Sequence, residues 1–89
     1  MRYEWDEGKD QLQRRKWGFG FEEAKEVFSH HYHGSQKNDD PEQYRVIGWC
    51  RGELISVIYE EREDAQGFFI WLVTFWKSAE AERKIYEEG

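Results

Sequence analysis

Apolar residues follow three different rhythms along this chain, and each rhythm predicts a different element. Residues 2–5, Arg-Tyr-Glu-Trp, alternate polar and aromatic side chains and predict a short strand. Asp6 then suits a helix N-cap, with Glu7 in the first turn. The segment to Lys16 reads helical, but Leu12 is its only large apolar residue, so this helix is expected to lie shallowly on the surface. Gly18-Phe19-Gly20 ends it. In the next segment Phe21, Ala24, Val27 and Phe28 recur at i, i+3, i+6 and i+7, with Glu22, Glu23, Lys25 and Glu26 outside the stripe. That is the spacing of an amphipathic helix. Residues 30–43 are polar and hold the only proline; they predict mostly loop, with a short strand at the start as the alternative.

The second half changes period. Residues 44–50 and 53–61 are strand-like runs separated by Arg51-Gly52, which predicts a tight hairpin. Residues 67–77, GFFIWLVTFWK, are apolar almost throughout, the pattern of a strand covered on both faces. Strict alternation there puts Trp71 on one side with Phe69, Val73 and Phe75. Trp76 falls on the other side with Phe68, Ile70 and Leu72. Ser78 then suits the N-cap of a last helix that carries Glu80 and Glu82 near its positive end. The expected architecture is α+β: an antiparallel sheet of three to five strands, two N-terminal helices and one C-terminal helix.

Length adds that 89 residues make one domain, residues 1–89, with a modest core. Five Trp within an aromatic share of 18% enlarge that core, since each large ring buries roughly 150–250 Å². A single cysteine rules out an internal disulfide and suits a reducing cytosol. No apolar run approaches the ~18 residues of a membrane span, and the first ten residues lack the apolar stretch of a secretory leader. The expectation is a cytoplasmic protein without membrane contact. The net charge of −6 does not steer the chain to nucleic acid, so any such contact must come from a local basic patch.

Three constellations could carry chemistry. His30, His31 and His33 suggest metal, but neither a second histidine pair nor paired cysteines completes a zinc pattern, so no metal site is expected. Lys9, Gln13 and Lys16 share a helix face, and Arg14 and Arg15 extend its basic character. This is the best local candidate for phosphate contact, against the plainer reading of a solvated face. Trp49, Trp71 and Trp76 could stack on exposed bases or be core. Finally, Lys77, Glu82, Arg83 and Tyr86 straddle a strand end and a helix. Lys77 can stabilise charge on phosphate while Glu82 or Tyr86 moves a proton; the plainer reading is helix capping and surface ion pairs.

At these residues the chain resembles the BrnT family, toxin components of bacterial type II toxin–antitoxin systems. The head, EWDEGKDQLQRRKWGFGFEEAKEVF (4–28), is similar to a family pattern of Glu-Trp-Asp, a spaced Lys, Lys-His-Gly and Ser-Phe-Glu-Glu-Ala. The tail, WKSAEAERKIYEEG (76–89), resembles a family ending of two basic residues, Ala-Thr, Glu-Arg and Tyr-Glu. Between them, QYRVIGWCRGELISVIYEERE resembles the family's Ile-Gly strand, hairpin and Glu-Arg strand. The likeness spans nearly the whole chain. Trp17 stands where the pattern has His, Gly20 where Ser is frequent, Trp76 at the first of the two basic positions, and Trp71 where another Arg is common.

The resemblance implies a RelE-like fold, metal-independent ribonuclease activity without a cofactor, and a ribbon-helix-helix antitoxin encoded nearby that binds in a hetero-oligomer. By that resemblance Lys77, Glu82, Arg83, Glu61 and Tyr86 are the candidate catalytic residues, with Glu82 or Glu61 moving protons and Arg83 orienting a carboxylate. Lys9, Lys16, Arg14, Arg15 and Trp76 are the candidate RNA contacts. Because Trp carries neither a proton nor a charge at neutral pH, a second reading stands beside the first. In it the chain is a catalytically weak or inactive protein-binding domain of the same fold that acts through a partner.

Overall fold

A computed structural model of the chain describes all 89 residues. In chain order it contains β1 (Tyr3–Trp5), α1 (Glu7–Trp17) and α2 (Phe21–Ala24), which runs on as a 3₁₀ turn over Lys25–Ser29. There follow β2 (Tyr32–Asp39), β3 (Glu42–Cys50), β4 (Glu53–Asp64), β5 (Gly67–Lys77) and α3 (Glu80–Glu88). The five strands form one sheet in the order β1-β5-β4-β3-β2. The class is α+β, but the sheet is mixed rather than antiparallel throughout, because β1 pairs parallel to β5. No helix is long and apolar enough to cross a membrane.

The elements start and stop for local reasons. The Asp6 side chain accepts from the Lys9 N–H at 2.8 Å, and Gly18, at φ 87°, closes α1 in the left-handed conformation that glycine adopts without penalty. Arg51 and Gly52 both take positive φ, 52° and 79°, the combination a two-residue hairpin turn needs. The last helix is capped differently from expectation. Ala79, not Ser78, is the N-cap, and Glu82 reaches back to the Ala79 N–H at 2.8 Å. Ser78 instead bonds its hydroxyl to that of Ser56 at 2.8 Å.

One sheet face packs on α2 and the 3₁₀ turn. Phe19, Phe21, Ala24 and Val27 meet Val46, Cys50, Ile55, Val57, Leu72 and Phe75 in a single buried cluster. Phe21 meets Phe75 edge-on and Phe19 stacks on it, both at 5.3 Å between ring centres. Each such buried ring contributes on the order of 2–3 kcal/mol through its area alone. Gly48 permits the close approach, since a Cβ there would stand 3.3 Å from Val27 and from Tyr32. Burial pushes the Cys50 thiol up to about 11, and it donates to the Glu23 carbonyl, so it is an inert core residue.

Contrary to the apolar pattern of α1, Leu12 is 59% exposed, whereas Asp10 and Gln13 are buried. The helix continues where β1 stops. β1 reaches only Leu72 of β5, and beyond it Gln13 donates to the Phe75 carbonyl at 2.9 Å and the Thr74 hydroxyl at 3.0 Å. A buried amide thus satisfies the edge of β5 in place of a strand. Asp10 holds the other side of α1, accepting from the Phe21 N–H at 2.7 Å and from Arg14 at 3.0 Å. Gly20 fits this joint because any Cβ there would fall 2.3 Å from the Asp10 carboxylate.

Residues 30–43 differ from the expected loop. They supply the eight-residue edge strand β2 and the start of β3, paired from Tyr32↔Gly48 to Asp39↔Glu42. An edge strand with one half-covered face has little need of apolar residues, so its polar sequence conceals it.

A bulge resets β5. Ile58 pairs with Thr74 but Tyr59 with Leu72, which leaves Val73 without a partner. The slip reverses side-chain parity beyond that point. Phe75 therefore joins Leu72 in the core, and Trp76 joins Trp71 and Phe69 on the second face. That face is not fully covered. The α3 helix packs on β3 and β2, whereas Phe69 and Trp71 carry only the guanidinium groups of Arg2 and Arg62, 4.4 and 4.5 Å above their rings.

Beside Trp71, Gln43 donates to Glu60 at 2.7 Å and Arg62 adds two bonds at 2.9 and 2.7 Å. The Gln43 bond first, then Arg62, hold the Glu60 carboxyl below its ordinary 4.5. A depressed value stabilises the fold above pH 4.5, and that contribution is lost as the pH falls through the folded-state value. Wild type is therefore expected to lose stability more steeply than Glu60→Gln in urea titrations run from about pH 6 to pH 3. Parallel profiles would show that the pair contributes nothing.

Candidate functional site

The C-terminal end of α1 and the end of β5 meet at Trp17. Lys16 Nζ lies 5.0 Å and Lys77 Nζ 5.8 Å from the Trp17 ring centre. Lys77 is opposite Ile55 in register, so it projects on the face that packs against α2. Its ammonium is 3.1 Å from the Glu53 carboxylate. The Trp17 ring is partly exposed, while its indole N–H is buried without a partner.

Charge is distributed unevenly around this point. Lys9, Arg15 and Lys16 of α1 form no ion pair, a condition shared elsewhere only by Lys37, Arg51 and Lys84. Arg14 belongs to a different environment. It is held by Asp10 at 3.0 Å and Glu23 at 3.2 Å, and the Asp10 bond raises its pKa further. Arg14 therefore joins α1 to α2, whereas Lys9, Arg15 and Lys16 remain as unpaired cations on an acidic protein.

The remaining candidates lie elsewhere. On the second face Glu82 is only 8% exposed. One of its oxygens accepts from the Trp76 indole at 2.9 Å and from the Ala79 N–H, and the other meets Arg45 at 3.4 Å. A carboxylate with this many partners is a structural hub. Arg83 lies 5.5 Å over the Trp49 ring and 3.8 Å from Glu87. The Tyr86 hydroxyl donates to the His31 carbonyl at 3.3 Å, and its ring meets Trp49 edge-on. Glu61 sits far along the sheet, opposite Ile70 and beside Met1 and Phe68.

The candidates thus fall into separate groups: Lys16 with Lys77, Trp76 with Glu82, Arg83 with Tyr86, and Glu61 alone. Lys77 and Glu82 project on opposite faces of the sheet. Two residues without an assigned role prove central. Glu53 is the acid beside Lys77, and a β4–β5 hairpin pairing that puts Ile55 opposite Lys77 would have located it. Arg45 is the cation of Glu82, and no local spacing links positions 37 residues apart. Chemically, the Trp17 cluster offers two ammonium groups, one carboxylate and an aromatic surface at a solvent-accessible edge. Neither a known protein family nor a curated protein matches the chain.

Proposed function

We propose that the protein is a toxin component of the BrnT kind, RelE-like in fold, that acts on RNA at the Lys16–Trp17–Lys77 cluster. The observation that carries this reading is the meeting of cations at one aromatic ring: an acidic chain keeps three unpaired basic residues on one helix, and the last of them, Lys16, shares the partly exposed Trp17 indole with Lys77. Lys9, Arg15 and Lys16 supply phosphate contacts, and Trp17 a stacking surface.

Cleavage at this cluster needs no metal. Glu53 takes the proton of a ribose 2′-hydroxyl, whose oxygen attacks the adjacent phosphorus. Lys77 neutralises the charge that develops there, and the departing 5′-oxygen takes a proton from a lysine ammonium. The products are a 2′,3′-cyclic phosphate and a 5′-hydroxyl. Glu53 replaces Glu82 in this scheme because Glu82 is buried and its oxygens are occupied. A ribbon-helix-helix antitoxin encoded nearby completes the system.

Purified protein incubated in EDTA with end-labelled single-stranded RNA is expected to cleave it, with Lys77→Ala and Glu53→Gln each slower by roughly 100-fold or more. Equal cleavage by all three proteins would move the chemistry away from this cluster.

A second reading, the binding domain that acts through a partner, is favoured by the uncovered aromatic half of the second face. Phe69 and Trp71, each under an arginine, suit an antitoxin segment that combines apolar side chains with carboxylates. RNA binding without cleavage, together with antitoxin affinity lost in Trp71→Ala, would favour that reading.

A further inference from the structure

Trp49 is the second aromatic at the end of the sheet that carries Lys77. It is 37% exposed, with Arg83 over its ring and Tyr86 edge-on against it. Trp49 pairs with Leu54 and Lys77 with the next residue, Ile55, so both stand at the same level of the sheet. Their strands, β3 and β5, lie on either side of β4, about 10 Å apart, and the two side chains leave opposite faces: Trp49 is on the α3 face with Leu54, Lys77 on the α2 face with Ile55. The Arg51-Gly52 turn projects from this end, and Arg51 is exposed and has no ion pair. Of these cations Lys77 is paired to Glu53 and Arg83 lies 3.8 Å from Glu87, while Glu23 and Glu26 stand with Arg51 around Cys50.

We propose that single-stranded RNA passes over this end of the sheet from one face to the other, with one unpaired base against Trp49 and another against Trp17, and the intervening phosphates at Arg51 and Lys77. The inference rests on the RNA reading above and adds its substrate class. Indole surfaces on either side of a sheet edge hold unstacked bases; a duplex keeps its bases inside and presents none to them. Stacking is tolerant of base identity, so the path selects for strandedness rather than sequence. The cations beside each ring meet the backbone on either side of the stacked base.

The test is fluorescence anisotropy with a labelled single-stranded oligonucleotide of about ten nucleotides, chemically blocked against cleavage at its 2′ positions, and with the matching duplex. Trp49→Ala is expected to weaken single-strand binding about 5- to 100-fold, Trp49→Phe to restore most of it, and the duplex to bind at least tenfold more weakly. Arg51→Ala is expected to reduce the magnitude of the salt slope by about 0.7. If Trp49→Ala binds like wild type while Lys16→Ala and Lys77→Ala are impaired, the two-platform path is wrong and the RNA reading stands. Equal affinity for the duplex overturns the path as well. If folded wild type binds neither RNA, both inferences fall.

Discussion

Glu82→Ala is expected to destabilise the fold by about 3–4 kcal/mol, the lower part of the range seen when one member of a buried ion pair is deleted. The loss has three sources. Arg45, whose Nε is already buried and unpartnered, loses the carboxylate at 3.4 Å. The Trp76 indole loses its acceptor at 2.9 Å, and the Ala79 N–H at the start of α3 loses its cap. In a domain of this size each kcal/mol shifts Tm by roughly 4–8 °C, so the variant should melt at least about 12 °C lower. Glu82→Gln keeps an acceptor for Trp76 and Ala79 but not the charge, and is expected to lose about half as much. Adding Arg45→Met to Glu82→Ala removes the stranded cation and should recover part of the loss. Urea denaturation of the four proteins decides the matter. A change below about 1 kcal/mol for Glu82→Ala would show that the carboxylate is not a structural hub, and would return it to the candidates for proton transfer.

Asp10→Ala is expected to lose about 2–4 kcal/mol by a related route. Asp10 is 5% exposed and is the only side chain that binds the Phe21 N–H, the first free donor of α2. It also anchors Arg14, which continues to Glu23. Without it a buried N–H is unsatisfied and the angle between α1 and α2 is no longer held. Asp10→Asn retains an acceptor for Phe21 and should lose roughly half as much. The variant also separates stability from function, because α1 carries Lys16 and Trp17 against Lys77. At temperatures where Asp10→Asn is still folded, its RNA affinity should fall with little change in the salt slope, since the charges persist but their placement is altered. Thermal melts combined with the anisotropy assay test this. An unchanged melt would mean that the α1–α2 joint is held by the aromatic core alone.

Both residues show how far local pattern reaches. Glu82 at the third position of a helix is readable as a capping residue, and its spacing from Ala79 alone accounts for the cap. That its second oxygen belongs to Arg45, on a strand 37 positions earlier, is not readable. In α1 the N-cap and the glycine stop both follow from neighbours within a turn. The burial of Asp10 and Gln13 rather than Leu12 follows from what lies opposite: the open edge of β5 needs a donor, and the buried start of α2 needs an acceptor.

The sequence by itself determined the α+β class, the position of the β3–β4 turn, the amphipathic face of α2, the strand character of β5 and the cations of α1. Each depends on residues close along the chain, where periodicity, φ preferences and capping act directly. The tertiary structure alone decided that β1 pairs parallel to β5, that a polar segment serves as the edge strand β2, and that a bulge at Val73 puts Trp71 and Trp76 on one face and Lys77 on the other. These follow from pairing between distant strands. Side-chain alternation has a period of two, so one unpaired residue reverses everything beyond it, and nothing within the strand itself announces where that residue falls.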